Sequence, residues 1–212
     1  ITHTGNVSAG TGGGTVTAKY QINVGSATSS FGFGWGTATW NAGSWNTPRT
    51  SSAIFVEATS WSFDILGEDL FAIRNNGALY RWDLSGGVAT PAQVITQAPS
   101  TSRFLLVTNG QFVLCLGTEE TIGTPGTQNN MLIRWSAQRD YTSWTFTSLR
   151  ENASGSDQVQ EGSKIMAATR SRGSVLVWTD SSLNILTLIG GDAVFSLQQV
   201  GSSCGAISPF CW

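Results

Sequence analysis

Four short apolar runs in a row constrain this chain more than anything else in it. The segment KIMAATRSRGSVLVWTDSSLNILTLIGGDAVFSLQQV begins at Lys164 and divides into runs near 164–169, 174–179, 183–189 and 193–200. The breaks are RSRG, TDSS and GGD. Connections this short leave no room for the crossover that parallel strands need. The segment therefore reads as an antiparallel meander. Two further pairs of apolar runs flank Asn75-Asn76-Gly77 and Asn109-Gly110. Asn-Gly supplies the positive φ angles of a tight hairpin turn, so both pairs read as hairpins.

Few windows show helical periodicity, and composition agrees with an all-β chain. Only 11% of the residues are charged, against the usual quarter, and serine, threonine and glycine carry the polarity instead. Threonine and aromatic residues favour strands, and glycine favours turns. The hydrophobic share of 40% is enough to bury a core.

A weak repeat suggests how the strands are grouped. LYRWD at 79–83 recurs as LIRWS at 132–136 and more faintly as VLVWTD at 175–180. Trp82 and Trp135 stand 53 residues apart, and Trp135 and Trp178 stand 43 apart. A unit of about 40–50 residues with four strands is the signature of a β-propeller blade. On this reading residues 54–212 form about three blades of a partial propeller. Trp82, Trp135 and Trp178 are then expected at comparable, largely buried blade positions. A ring takes about four to eight blades, so three leave it incomplete. A plain β-sandwich is the alternative.

Residues 1–53 read differently. TVTAKYQINV at 15–24 alternates, with Val16, Ala18, Tyr20, Ile22 and Val24 on one face, as in a half-buried strand. Lys19 and Arg49 are the only charged side chains of the Lys, Arg, Asp and Glu types before Glu57. In FGFGWGTATWNAGSWNTPR, residues 31–49, Trp35, Trp40 and Trp45 recur every five residues on a loose backbone of small residues. The segment reads as an extended Gly/Trp-rich arm. The chain begins at Ile1 and stops at Trp212 directly after an apolar segment, and it reads as a piece of a longer one.

Catalytic chemistry finds little footing in the sequence. The one histidine, His3, is far in sequence from any cysteine or carboxylate cluster, which argues against a zinc site or a serine–histidine–acid triad. Glu119, Glu120, Asp157, Glu161 and Asp180 fall mostly in expected turns and read as solvated charge. SAQRDYTSWTF at 136–146 is similar to the Asp-box turn of sialidase-type propellers. It has Ser136, Asp140 and Trp144 but altered spacing and no glycine, and that turn is structural. Arg170 and Arg172 with Lys164, and Arg134 with Arg139, are small basic clusters offset by neighbouring acids. GTGGG at 10–14 lacks the lysine of a phosphate-binding loop. No catalytic, cofactor-binding or metal-binding residues are therefore assigned. Three cysteines make no disulfide framework. Cys115 reads as a small buried hydrophobe, and Cys204 and Cys211 are spaced to pair across CGAISPFC only in an oxidising setting. No apolar run is long enough to span a membrane.

The order of the motifs adds a resemblance. GWGTATWNAGSWNTPR is followed by WSFDILGEDLFAIRNNGALYRWD, MLIRWSAQRDYTSWTF, GSKIMAATRSRGSVLVWTDSSLNILTLIG and FSLQQVGSSCGAISP. Over roughly residues 32–209 this resembles virion structural proteins of tailed bacteriophages, most of all the β-propeller tail nozzle or hub proteins of short-tailed phages. The resemblance implies a non-enzymatic homo-oligomeric ring, commonly a hexamer, assembled in the host bacterial cytoplasm and carried in the virion tail. Its partners would be adaptor and portal proteins and fibres or spikes. DNA would pass through the lumen without specific binding. No cofactor is implied. Trp35, Trp40 and Trp45 would be interface anchors, on this chain's own blades or on a neighbouring subunit. A carbohydrate-binding or host-receptor-binding propeller module is the alternative.

Overall fold

The computed structural model describes residues 60–146, 153–190 and 193–209. The chain divides after Ala58, and all described residues belong to the unit Thr59–Trp212. The strand at 15–24, the arm with Trp35, Trp40 and Trp45, His3 and Cys211 lie outside the described residues.

The described unit is all-β. Its strands fall into three antiparallel sheets of four, each a meander in chain order. The first sheet holds β1 (Trp61–Leu66), β2 (Asp69–Arg74), β3 (Leu79–Trp82) and β4 (Gln93–Val94). The second holds β5 (Phe104–Val107), β6 (Val113–Leu116), β7 (Leu132–Trp135) and β8 (Gly155–Gln158). The third holds β9 (Ile165–Arg170), β10 (Ser174–Thr179), β11 (Ser182–Leu188) and β12 (Phe195–Ser202). The meander expected over 164–200 is this third sheet.

The turn chemistry explains the pairing. Asn76 takes φ 57° between β2 and β3, the left-handed conformation that asparagine tolerates. In the second hairpin the left-handed residue is Gln111, at φ 65°, one place beyond Asn109-Gly110. Its amide closes the turn onto the Thr108 carbonyl at 2.9 Å.

Two apolar layers hold the sheets together. Phe71, Ile73 and Leu79 of the first sheet pack with Leu105, Val107, Val113 and Cys115 of the second. The opposite face of the second sheet, with Phe104, Leu106, Leu114, Leu116, Ile133 and Trp135, packs with Ile165, Val175, Val177, Leu186 and Phe195 of the third. The second sheet is thus covered on both faces. This is why β5 and β6 read FLLV and VLCL, apolar at every position and buried throughout. β10, with one covered face, alternates instead, with Val175, Val177 and Thr179 buried and their neighbours only partly so.

The turn at 136–146 ties the first two sheets. Ser136 Oγ accepts from the Val113 amide at 3.1 Å. Asp140 accepts from the Thr142 amide at 2.9 Å. Trp144, 2% exposed, joins the layer between the sheets. Tyr141 meets Phe71 edge-on, with ring centroids 5.3 Å apart, and takes the Arg81 guanidinium over its ring at 4.9 Å. The three Asp-box-like residues therefore do form one structural turn.

Candidate functional site

The first strands of the three sheets come together side by side. β1, β5 and β9 are each an edge strand, since each lies at one end of its sheet. Ser62 Oγ on β1 accepts from the Leu105 amide of β5 at 2.9 Å. Two residues on, Asp64 Oδ2 accepts from the Val107 amide at 2.7 Å. Advancing two residues on both strands fixes their relative direction as parallel. At the far end Arg170, which closes β9, donates to the Val107 carbonyl at 3.2 Å and pairs with Asp64 at 3.1 Å. At the near end a shallow cleft is lined by Ser60, Trp61 and Ser62, by Arg103 and Phe104, and by Ile165 and Met166. All three first strands thus start at one end and finish at the other. Side chains, rather than a shared ladder, satisfy the edge-strand amides of Leu105 and Val107.

Among the described residues, one face of the first sheet carries no apolar layer. Register places Trp61, Phe63 and Ile65 of β1 opposite Arg74, Ala72 and Leu70 of β2. Tyr80 and Trp82 of β3 continue that face, as does Val94 of β4. Phe63 is 60% exposed and Ile65 58%. Trp61 and Phe63 stack with centroids 5.9 Å apart, and Tyr80 stands 6.4 Å from Trp61. Among the described strand residues of that face, Arg74 is the one that is charged. Isolated exposed apolar residues are ordinary, but a contiguous apolar face marks an interaction surface.

The three repeat tryptophans occupy three different settings. Trp135, 6% exposed, ends β7 and faces the third sheet, with Phe195 5.1 Å away edge-on. Its indole donates to the Ala153 carbonyl at 2.9 Å. Trp82 ends β3 but lies on the open face, half-buried, and donates to the Thr90 carbonyl at 2.9 Å. Trp178 is on β10, the second strand of its sheet, and is half-buried. The pairing explains the first difference. Ile73 faces Leu79, whereas Leu116 faces Ile133, so Leu79 corresponds to Ile133 and Arg81 to Trp135. The LYRWD and LIRWS motifs are therefore one residue out of structural register, which reverses the face.

A scan of protein-family models and a search of curated proteins gave no match.

Several of the charged candidates hold loops and turns. Glu119, expected to be solvated, is fully buried. Its carboxylate accepts from Ser100 Oγ and from the Gly123 and Thr124 amides at 2.6 and 3.3 Å. It therefore pins the loop after β6, a role no local pattern announces. Arg134 donates to the Glu119 and Glu120 carbonyls at 3.2 and 2.7 Å, and burial lowers its pKa. Arg139 is bonded to the Gln111 side chain. Arg172 is exposed. Asp180, at the β10–β11 turn, accepts from the Ser163 amide at 2.8 Å and from its hydroxyl. Those bonds lower its pKa. Cys115 is buried, and desolvation pushes its thiol up to about 12, where it stays protonated and inert. Cys204 is an exposed free thiol. Among the described residues no group of three or more His, Cys, Asp or Glu side chains is placed to hold a metal ion. Among them no helix is long and apolar enough to cross a membrane.

Proposed function

We propose that this chain is a structural component of a phage tail, nozzle- or hub-like, whose three sheets are blades of a β-propeller. In this reading the assembled ring conducts DNA and docks other tail proteins. The observation that carries it is the parallel convergence of β1, β5 and β9. Blades arranged about an axis place the first strand of each meander innermost and running one way, and stack sheet on sheet around it. The clasps from Ser62 and Asp64 to β5, and from Arg170 to β5 and β1, support such an axis. The two apolar layers support the stacking. The order of motifs over residues 32–209 supplies the tail assignment. The low charge suits a lumen that must not hold phosphate. Electron microscopy of intact particles carrying this chain tests the assignment. The expected result is density for the chain around the tail axis below the portal. Density confined to the capsid shell, or absence from the particle, would overturn it.

The stacked Trp61–Phe63 pair favours a second reading, a carbohydrate- or receptor-binding propeller module, because exposed aromatic rings stack on sugars. Saturable glycan binding lost in Trp61→Ala would replace the structural reading with this one.

A further inference from the structure

We propose that the turn at Asn109-Gly110 is a site of spontaneous deamidation, and that the fold holds the other Asn-Gly pair, Asn76-Gly77, back from the same reaction. The sequence contains these two pairs and no third. Nothing in this chemistry depends on the blade reading above. The glycine amide nitrogen, once it has given its proton to hydroxide, attacks Cγ of the preceding asparagine. A new C–N bond forms, the bond from Cγ to the side-chain nitrogen breaks, and that nitrogen takes a proton from water and leaves as ammonia. Water then opens the cyclic imide at either carbonyl, giving aspartate or isoaspartate. The net change consumes water and releases ammonia, and nothing is oxidised or reduced. Asparagine is the thermolabile partner. Glycine favours the step because no Cβ shields its nitrogen.

The two turns differ in what holds the reacting atoms. The Gly77 amide donates to the Ser102 carbonyl at 3.2 Å, and the Ser102 amide donates back to the Gly77 carbonyl at 2.9 Å. Asn76 Oδ1 accepts from Gln128 Nε2 at 3.0 Å. The attacking nitrogen and the attacked carboxamide are thus both engaged. At Asn109-Gly110 the bonds lie around the reacting atoms instead. The Thr108 amide donates to the Phe112 carbonyl and the Gln111 amide to the Thr108 carbonyl, each at 2.9 Å. Gln138 Nε2 donates to the Gly110 carbonyl at 3.0 Å. Among the described residues no hydrogen bond engages the Asn109 side chain or the Gly110 amide. Asn76 and Asn109 are both exposed, so bonding rather than exposure separates the two sites.

Conversion at Asn109 strikes a tight place. A methyl group on Gly110 would meet Leu188 Cδ2 at 2.9 Å and Phe112 Cδ2 at 3.3 Å, so the main chain of this turn runs close against the end of β11. Isoaspartate lengthens that main chain by a carbon where there is no slack. Either product also adds a negative charge to a chain whose formal net charge is −2.

The test incubates the full, unaltered chain in mildly alkaline buffer and follows both sites by peptide mapping with mass spectrometry. In the folded chain Asn109 should convert at least about tenfold faster than Asn76, which must first give up its hydrogen bonds. In denaturant the two rates should converge, because each pair is then a bare Asn-Gly. On ion exchange the folded chain should develop a more acidic species, and Asn109→Gln should remove its fast-forming part. A ratio of rates no larger in the folded chain than in denaturant would overturn the proposal. So would a fast-forming acidic species that persists in Asn109→Gln.

Discussion

The first and second sheets are built alike and finished differently. Both are four-stranded meanders whose first strand is an edge strand beside the other's. The second sheet is covered on both sides, and every residue of β5 and β6 is buried. The first sheet is covered on one side, and its other face keeps Phe63 and Ile65 more than half in water. At about 25 cal/mol per Å² of apolar surface buried, each such side chain left uncovered forgoes roughly 2 kcal/mol. The difference teaches that apolar strand positions alone do not tell which sheet faces are covered among the described residues.

Substitutions in the two sheets should expose this contrast. The largest effect is expected at Trp135. Trp135→Ala removes a ring packed against Phe195 inside the covered layer and should lower unfolding free energy by about 3–5 kcal/mol in denaturant titration. A loss under about 0.5 kcal/mol, the range of ordinary surface substitutions, would place Trp135 outside the core. Next is Asp64, the clasp between the two sheets. Asp64→Ala leaves the Val107 amide without its acceptor, for a loss of about 1.5–3 kcal/mol. Arg170→Ala should cost less, since its exposed end of the pair is screened. Equal losses for the two would show that the ion pair rather than the amide clasp joins the sheets.

On the open face the expected change in stability is near zero. Phe63→Ser in dilute, unassociated chain should alter unfolding free energy by less than about 0.5 kcal/mol. A loss comparable to that of Trp135→Ala would show the face already covered. The smallest effect is at Asp180. Its carboxylate is held below its ordinary pKa by Ser163, so its contribution to stability is present above about pH 4 and fades as pH falls through the folded-state value. Wild-type chain should therefore lose more melting temperature than Asp180→Asn between pH 5 and about pH 3. Parallel curves would mean that the Ser163 bonds contribute nothing measurable.

Much of the fold was legible because short runs and turn residues are local signals. The breaks RSRG, TDSS and GGD marked the third sheet, and Asn75-Asn76-Gly77 marked the β2–β3 hairpin. The tryptophan repeat was not a reliable ruler. A one-residue offset between LYRWD and LIRWS leaves the motif looking the same and puts Trp82 on the opposite face from Trp135. Glu119 was unreadable for another reason. Its burial depends on Ser100, Gly123 and Thr124, which surround it only after the loop closes. The convergence of β1, β5 and β9 was equally hidden, since Ser62, Asp64 and Arg170 look like ordinary polar residues in the chain.

Hydroxyl-radical footprinting of aromatic side chains tests the central contrast most directly, because it reads solvent exposure residue by residue. Dilute chain should show Phe63 and Trp61 reactive and Trp135 and Phe195 protected. Phe63 protected in dilute chain, or Trp135 and Phe195 as reactive as Phe63, would contradict the account.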